Sequence, residues 1–522
     1  MERLNQLIKK QYAKVPKECK IAVVSVIVFG LLAHNYMFTN KLPNNDDMGV
    51  TGFGVTFRLG RWFLWVLGSI VYHLDFSYSL PWINGIVSLV FIAISGALLV
   101  YIFNLKNKLS IILISGMLVV FPSWTATFFF MFTAPYYSLA VFLGVLGVFF
   151  TVTYRKGYIL AVLCTVLSLG IYQAYFPFIA SLYVMVLIQN LVRNETIHVR
   201  KKIKDSFKYL FLLVGSIILY GIITEVTLLI TGQQLAPYRG LDNVGTISIE
   251  KIGLIIKGIF TCFASLCLSN DYELSYNVLL KAGYVIAFVF WGIESVICVY
   301  ILLNQKRKIE SIWFVILSLA LFISINGICI MCPEPDAVYS LMRYAYVLIP
   351  VYPLILADIC IENFSGKMNV ILCENILTCV IFIMSLTYCH FANAQYLSMD
   401  LGLKQATGFY TPIITQIKSL EGYTDETEVI FICVNETEID DKTMYDNDIM
   451  RKFDISGRDS ILSQTESLSY LLSIYCGFNP SKFEYYIGEG TKGIDEILDM
   501  PVYPENGSIQ MINGKVIVKL AE

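Results

Sequence analysis

The sequence predicts a polytopic α-helical membrane protein of about eleven transmembrane helices, followed by a small extracytoplasmic α/β domain. Three observations predict this fold class. Of the 522 residues, 56% are hydrophobic and only 15% are charged, whereas soluble proteins carry about 25% charged residues. Apolar runs of about 20 residues, the length that crosses a bilayer, recur up to residue 390. Beyond that point short strand-like runs and turn residues replace them.

The first apolar run sets the expected orientation of the chain. It covers Cys19–Phe38 and follows a basic segment, residues 1–18. It is too long for the core of a signal peptide, and no small-residue cleavage site follows it. We expect a retained helix with the basic segment in the cytoplasm, because positive flanks stay inside. The first loop, residues 39–80, then faces outside the cytoplasm.

Hydropathy predicts ten further spans, and lysine and arginine gather in alternate connecting loops as the positive-inside rule requires. Segment 59–80 is rich in aromatic residues and should lie at the outer interface, and segment 252–268 should lie on the surface or be re-entrant. Counting either as a span would reverse the orientation of everything after it. The predicted spans are 84–103, 109–127, 135–153, 157–173, 175–192, 208–230, 280–303, 311–332, 344–361 and 369–390.

The C-terminal segment, residues 391–522, is expected to form the extracytoplasmic α/β domain. A hairpin is predicted at Asn513-Gly514, because this dipeptide accepts the positive φ of a type I′ turn. A domain of about 130 residues is large enough to fold by itself. The other predicted elements are strands at 428–434 and 483–487 and a helix at 466–475.

Three further patterns carry little functional weight. Cys433 and Cys476 could pair in an oxidising compartment. Cys329–Cys332 has C-x-x-C spacing but no second pair of ligands, so membrane packing is favoured over zinc or redox chemistry. Gly488–Gly493 fits the glycine pattern of a dinucleotide site, but it lacks a βαβ unit and an acidic residue about 20 positions on. We therefore expect no nucleotide there.

Asp46 and Asp47 are the first candidates for chemistry. Charged groups beside a membrane are costly unless they are solvated, paired or used. A carboxylate here could accept the proton of a hydroxyl that attacks an anomeric carbon. It could also hold a divalent cation, Mg²⁺ or Mn²⁺, against a donor phosphate. The alternative is a hydrophilic turn at a helix exit, and no other cofactor is indicated.

Cationic and aromatic side chains on the predicted outer side are candidates for substrate binding. Arg58 and Arg61, with Trp62 beside them, could hold a phosphate bidentately, and interface anchoring is the alternative. Arg343, followed by Tyr344, is a second candidate phosphate clamp, with snorkelling as the alternative. Both alternatives stay open.

Three candidates come from other outer positions. Tyr172 and Gln173 lie at the outer end of a predicted span, and Arg239 lies in an outer polar loop. Gln173 could bind a sugar hydroxyl, but glutamine in a helix bundle also hydrogen-bonds neighbouring helices. The sequence favours the second role for Gln173 without excluding the first.

Four short motifs occur in a characteristic order. They are Asn45-Asp46-Asp47, Gly60-Arg61-Trp62, Ile171-Tyr172-Gln173-Ala174 and the ending Met500–Ser508. In this order they resemble the Gtr type II O-antigen glucosyltransferase family, over nearly the whole chain. The resemblance implies a GT-C-like fold in which Asp46 and Asp47 match the acidic motif of the first outer loop. Arg61 matches the basic residue that follows it.

The resemblance also implies a function. We expect an integral inner or plasma membrane glycosyltransferase, inverting, that acts outside the cytoplasm. Its donor would be a polyprenyl-phosphate (undecaprenyl phosphate) glucose or similar sugar, and its acceptor a surface glycan such as O-antigen or another cell envelope polysaccharide. A donor flippase would be a companion, and nucleic acid would not be a partner.

Two alternatives to this function stay open. A transporter or flippase of lipid-linked sugars would carry its ionisable residues near the membrane midplane, often in repeated halves. A polymerase of lipid-linked sugars would share the donor chemistry. The charged candidates gather at one outer face and no repeat is evident, which favours an enzyme over a transporter.

Overall fold

A computed structural model shows two compact units. The first consists of Met1–Thr39 and Gly52–Ala392, and the second of Asn40–Thr51 and Asn393–Glu522. The first outer loop is therefore divided, because its acidic part belongs to the same unit as the C-terminal segment. The structure describes residues 13–49, 52–76, 78–193, 198–236, 249–268, 271, 273–332, 338–364, 368–433, 465–487 and 500–521.

The first unit is built from apolar helices. Ten helical segments of the described chain are long and apolar enough to cross a membrane, so the protein is a polytopic helical membrane protein, as predicted. In chain order the helices are α1 (Lys17–Thr39), α2 (Trp62–His73), α3 (Pro81–Ile102), α4 (Lys108–Val120), α5 (Pro122–Phe129), α6 (Ala134–Thr153), α7 (Tyr158–Ile171), α8 (Phe176–Arg193), α9 (Val199–Thr231), α10 (Ile249–Cys267), α11 (Val278–Asn304), α12 (Lys308–Ile325), α13 (Ile328–Met331), α14 (Leu348–Phe364) and α15 (Met368–Ser419).

Helix α7 is the shortest of the predicted spans, with 14 residues and a length of about 21 Å. It runs antiparallel to α6, since Ser168 near its end donates a hydrogen bond to the carbonyl of Ala140 at 2.7 Å. Just beyond it, Tyr172 stacks on Tyr137, near the start of α6, with ring centroids 4.5 Å apart. Helix α7 thus returns along nearly the whole of α6. Because it is shorter than the ten helical segments that are long enough to span a membrane, the count of eleven spans stays a prediction.

Proline and short 3-10 segments interrupt two of the predicted spans. The span predicted at 109–127 divides at Phe121, because Pro122 occupies the first position of a new helix, α5. The span predicted at 344–361 begins with a 3-10 helix, Ser340–Val347, before α14. Hydropathy detects neither break, because it reports side-chain polarity and not the local backbone geometry.

Two helices extend beyond their apolar parts. Helix α9 begins at Val199, within the basic loop, rather than at residue 208. Helix α15 continues to Ser419, well past the predicted end at residue 390. Backbone hydrogen bonding does not stop where the lipid-compatible side chains stop, so hydropathy marks the apolar part of a helix and not its full length.

The second unit contains a four-stranded sheet with the order β2-β1-β4-β3. Strand β1 pairs parallel with β2 and β4, and β3 pairs antiparallel with β4. Asn513 and Gly514 join β3 to β4 with φ values of 49° and 77°, as expected for a type I′ turn. The strands are β1 (Val429–Cys433), β2 (Phe483–Ile487), β3 (Ile509–Ile512) and β4 (Lys515–Ala521).

The described helical parts of the second unit pack on one face of this sheet. Alternate residues of β1, such as Val429 and Phe431, share a core with Tyr410 and Ile413 of α15, because successive strand residues face opposite sides. The predicted helix at 466–475 is observed as α16 (Thr465–Tyr470) and a π-helical turn, Leu471–Tyr475. No disulfide joins Cys433 to Cys476, and the glycine run 488–493 lies outside the described residues.

Candidate functional site

The acidic loop is a tight structure within the second unit. Asn45–Asp47 forms a short 3-10 helix, and the Asn44 side chain caps it by accepting a hydrogen bond from the Asp47 amide at 3.0 Å. This local capping explains why Asn-Asn-Asp-Asp folds as it does, since asparagine is a preferred N-cap residue. The loop is thus a defined turn that orients the two carboxylates differently.

The two carboxylates have different surroundings. Asp47 is buried, with 3% of its surface exposed, and its Oδ2 lies 2.8 Å from the Nζ of Lys41. Lys41 also donates to the Asp47 carbonyl at 3.1 Å. Burial lowers the pKa of Lys41, and the Asp47 charge partly offsets this. Asp46, in contrast, is exposed, so it is the carboxylate that a substrate can reach.

The segment before Arg61, in the first unit, is held by two side chains. Gln173 Nε2 donates to the carbonyl of Leu59 at 2.6 Å and to the hydroxyl of Tyr220 at 2.6 Å. Tyr220 in turn donates to the carbonyl of Gly60 at 3.1 Å. Gln173 therefore bonds inside the protein, which is the neighbouring-helix alternative considered for it. Tyr220 carries no motif in the sequence and was not among the predicted residues.

Gly60 allows these contacts for two reasons. Its φ is 69°, a left-handed conformation that glycine adopts without strain. A Cβ at this position would lie 2.5 Å from the Tyr220 hydroxyl and 2.8 Å from Gln173 Nε2. The glycine of the Gly60-Arg61-Trp62 motif is thus required by the close approach of the Gln173 and Tyr220 side chains.

Arg61 lies over a pair of stacked tyrosines. Its guanidinium carbon is 5.0 Å from the Tyr172 ring and 5.9 Å from the Tyr137 ring, so both rings can stabilise the cation. Arg61 Nε and the indole nitrogen of Trp62 are buried without a hydrogen-bond partner among the described residues. The structure thus brings Arg61, Trp62, Tyr172 and Gln173 together, with donors that an anionic group could satisfy.

Arg343 is bound within a different polar cluster of the first unit. Its Nη1 lies 2.8 Å from Asp271 Oδ2, so a carboxylate already neutralises the guanidinium. Glu273 accepts a hydrogen bond from Ser340 in the same cluster. Burial raises the pKa of Glu273 to about 7, while the Arg343 charge opposes the rise and the Asp271 charge adds to it. Sequence reasoning missed Asp271 and Glu273, whose only signal is a pair of acids in the short loop before α11.

The other candidates have diverse surroundings. Tyr344 is buried, and its hydroxyl donates to the carbonyl of Leu118 at 3.0 Å. Its ring lies 5.9 Å from that of Tyr175, which in turn lies 5.3 Å from the Tyr172 ring. Arg58 is exposed, and Arg239 lies outside the described residues. Tyr344 is therefore part of the aromatic packing behind Arg61.

A metal site is not formed by protein groups alone in the described part of the chain. No group of three or more His, Cys, Asp and Glu side chains lies together among the described residues. Asp46 and Asp47 offer only two carboxylates, and that of Asp47 is paired with Lys41. The Mg²⁺ or Mn²⁺ considered from the sequence would thus need ligands from a substrate as well.

Comparison with known proteins agrees with this arrangement. No curated protein and no solved structure matches the chain. The family model described as glucosyl transferase GtrII matches residues 35–354, which include the acidic loop, Arg61 and Gln173. Because the match covers more than half of the 522 residues, the chain belongs to the GtrII glucosyl transferase family.

Proposed function

We propose that this glucosyltransferase moves a glucosyl residue from a polyprenyl-phosphate donor to a surface glycan, outside the cytoplasm and with inversion. The observation that carries the proposal is the Arg61 cluster, where a guanidinium lies over Tyr172 with a buried, unpartnered Nε. A lipid-linked sugar phosphate is a ligand that would satisfy such a donor at a membrane protein. Membership of a glucosyl transferase family favours this reaction over a flippase or a polymerase.

Asp46 is the proposed general base. It is exposed, whereas the Asp47 carboxylate is buried in its ion pair with Lys41. In the reaction, an acceptor hydroxyl attacks the anomeric carbon and the bond from that carbon to the phosphate oxygen breaks. The hydroxyl proton passes to the Asp46 carboxylate, and the polyprenyl phosphate leaves with the bonding electron pair. Asp47 and Lys41 keep the turn in the geometry that presents Asp46.

Arg61 would serve the donor side of the same reaction. Charge accumulates on the phosphate as the glycosidic bond breaks, and a fixed guanidinium stabilises that charge without reorganising. The tyrosine pair and the bonds from Gln173 and Tyr220 hold the segment that carries Arg61. The protein would therefore contribute positioning, one base and one fixed cation.

The composition of the second unit supports the proposed orientation. Residues 40–51 and 393–522 belong to one compact unit, and Met48 shares its core with Tyr410 and Leu471. Two segments with a common core must lie on the same face of the membrane. Ten spans separate them when α7 is counted, and an even number returns the chain to the same face. The positive-inside rule then favours the outer face for both.

Paired substitutions test the base. We expect Asp46→Asn to lower the rate of glucosyl transfer at least 100-fold, the range of general-base contributions, while the thermal stability of the purified protein is unchanged. Asp47→Asn should instead lower stability, because it leaves the Lys41 ammonium without its partner. Transfer from polyprenyl-phosphate [¹⁴C]glucose to extracted surface polysaccharide is the measurement. An Asp46→Asn enzyme with wild-type turnover would refute the assignment.

A further inference from the structure

The C-terminal segment forms the support on which the acidic loop rests. Met48, directly after Asp47, is fully buried in a core with Leu468, Leu471 and Tyr410. A Cβ at Gly49 would lie 3.1 Å from the ring of Tyr470, so the loop backbone passes close to that ring. Residues more than 360 positions away in the chain thus fix the acidic turn.

Tyr475 ends the π-helical turn Leu471–Tyr475 of this support. Its ring packs against the core that contains Met48, and its hydroxyl is buried without a hydrogen-bond partner among the described residues. Burial raises the pKa of Tyr475, and the charge of Asp47 raises it further. The hydroxyl is therefore a neutral donor in the vicinity of the acidic loop.

Packing explains the ring of Tyr475 but not its hydroxyl. A phenylalanine would fill the same space, so packing does not require the hydroxyl. A buried hydroxyl that has no partner among the described residues needs a physical explanation, and a bound ligand that offers an acceptor is one. The exposed carboxylate of Asp46, in the same unit, disfavours a phosphate, whereas the hydroxyl groups of a neutral sugar can accept from the tyrosine.

We propose that Tyr475 is a substrate-contacting residue, which donates a hydrogen bond to a hydroxyl of the acceptor glycan as that glycan meets the acidic loop. The inference rests on the proposed function, because it places the acceptor beside Asp46. It assigns the C-terminal segment, which lies outside the region matched by the family model, a part of the acceptor site. Donor recognition would remain with Arg61.

Tyr475→Phe is the direct test, because it removes the hydroxyl and keeps the ring. We expect the KM for extracted surface polysaccharide to rise about tenfold, the effect of one lost hydrogen bond, with the KM for polyprenyl-phosphate glucose unchanged. Thermal stability should stay equal or rise, since the deleted hydroxyl has no partner in the described chain. Tyr470→Phe is the matched control: its ring lies against Gly49 in the same support, and both KM values should stay at wild type.

The outcomes separate this inference from the proposed function. A Tyr475→Phe enzyme with the wild-type KM for polysaccharide, or with a change in the donor KM alone, would overturn the role of Tyr475. If the wild-type protein transfers no glucose, the proposed function fails. Binding of the same polysaccharide, measured by calorimetric titration, then decides the role of Tyr475. Weaker binding by Tyr475→Phe would then support acceptor contact, and equal or tighter binding would contradict it.

Discussion

The bonds of Gln173 should act on the reaction through Arg61. Gln173→Leu removes both hydrogen bonds that the amide makes, to the Leu59 carbonyl and the Tyr220 hydroxyl, each 2.6 Å long. Leucine is similar in size, so the packing of the helix end is largely kept. The segment that leads into Arg61 would lose its anchor to the 3-10 turn Gln173–Tyr175.

The magnitude follows from the contacts. Each hydrogen bond contributes about 0.5–1.5 kcal/mol net, and a hydrogen bond to a charged group about 1.5–3 kcal/mol. Release of this segment should remove the contact between Arg61 and the donor phosphate. Loss of one hydrogen bond to a charged group then lowers kcat/KM for the donor about 10-fold to 150-fold. Arg61→Ala should produce a loss of at least the same size.

A double-mutant cycle with initial rates of glucosyl transfer is the assay. When Gln173 acts only by positioning Arg61, the Gln173→Leu and Arg61→Ala double variant should be no worse than Arg61→Ala alone. Gln189→Leu is the matched control, because Gln189 Nε2 donates to the Phe103 carbonyl at 2.7 Å without contacting the Arg61 cluster. It should lower stability and leave donor kcat/KM unchanged. Fully additive losses in the cycle would refute the positioning role.

Three further predictions concern other parts of the protein. Gly60→Ala should lower donor kcat/KM, because its Cβ would lie 2.5 Å from the Tyr220 hydroxyl. Gly232→Ala is the control and should leave donor kcat/KM unchanged, because Gly232 has a similar φ of 66° and no atom within 4 Å of its Cβ position. Unchanged donor kcat/KM for both variants would contradict the argument. Met48→Ala should destabilise the second unit by about 2–5 kcal/mol, as measured by calorimetry. It should also lower the rate of glucosyl transfer at a temperature where the unit stays folded. Met500→Ala, in a separate buried cluster, should lower stability without changing that rate. Burial raises the pKa of Glu273 from 4.5 to about 7, so its stabilising contribution is full below pH 4.5 and is lost as pH rises through 7. The melting temperature of the wild type should therefore fall as the pH rises from 5 to 8, and that of Glu273→Gln should vary less. Parallel plots of melting temperature against pH for the two proteins would be evidence against a raised pKa of Glu273.

Much of the fold was determined by patterns that are local in the chain. Helix α1 follows from an apolar run of the right length, and the β3–β4 hairpin follows from Asn513-Gly514, whose two residues accept positive φ. Hydropathy also predicted the apolar segment that forms α7, although this helix has only 14 residues. These features depend on neighbouring residues, whose contributions add up along the sequence. The sequence also sufficed to indicate the family, through short motifs in order.

The candidate site was only partly predictable. The acidic doublet and Arg61 stood out by residue type, but nothing in Asn45-Asp46-Asp47 says that Asp47 pairs with Lys41 and leaves Asp46 exposed. Asp271 neutralises Arg343 across 72 positions, and no local pattern marks such a partner. An arginine that the sequence marks as a phosphate clamp can thus also form an internal ion pair, and the clamp role of Arg343 stays a prediction.

The sequence by itself determined the membrane-spanning character, the order of the helices, the strands of the C-terminal unit and the residue types available for chemistry. Only the tertiary structure decided which carboxylate is exposed, that Gln173 and Tyr220 hold the segment before Arg61, and that the C-terminal segment supports the acidic loop. The physical reason is that lipid compatibility and turn preference are properties of contiguous residues. Burial, ion pairing and hydrogen bonding at a site depend on residues that the fold brings together from distant positions.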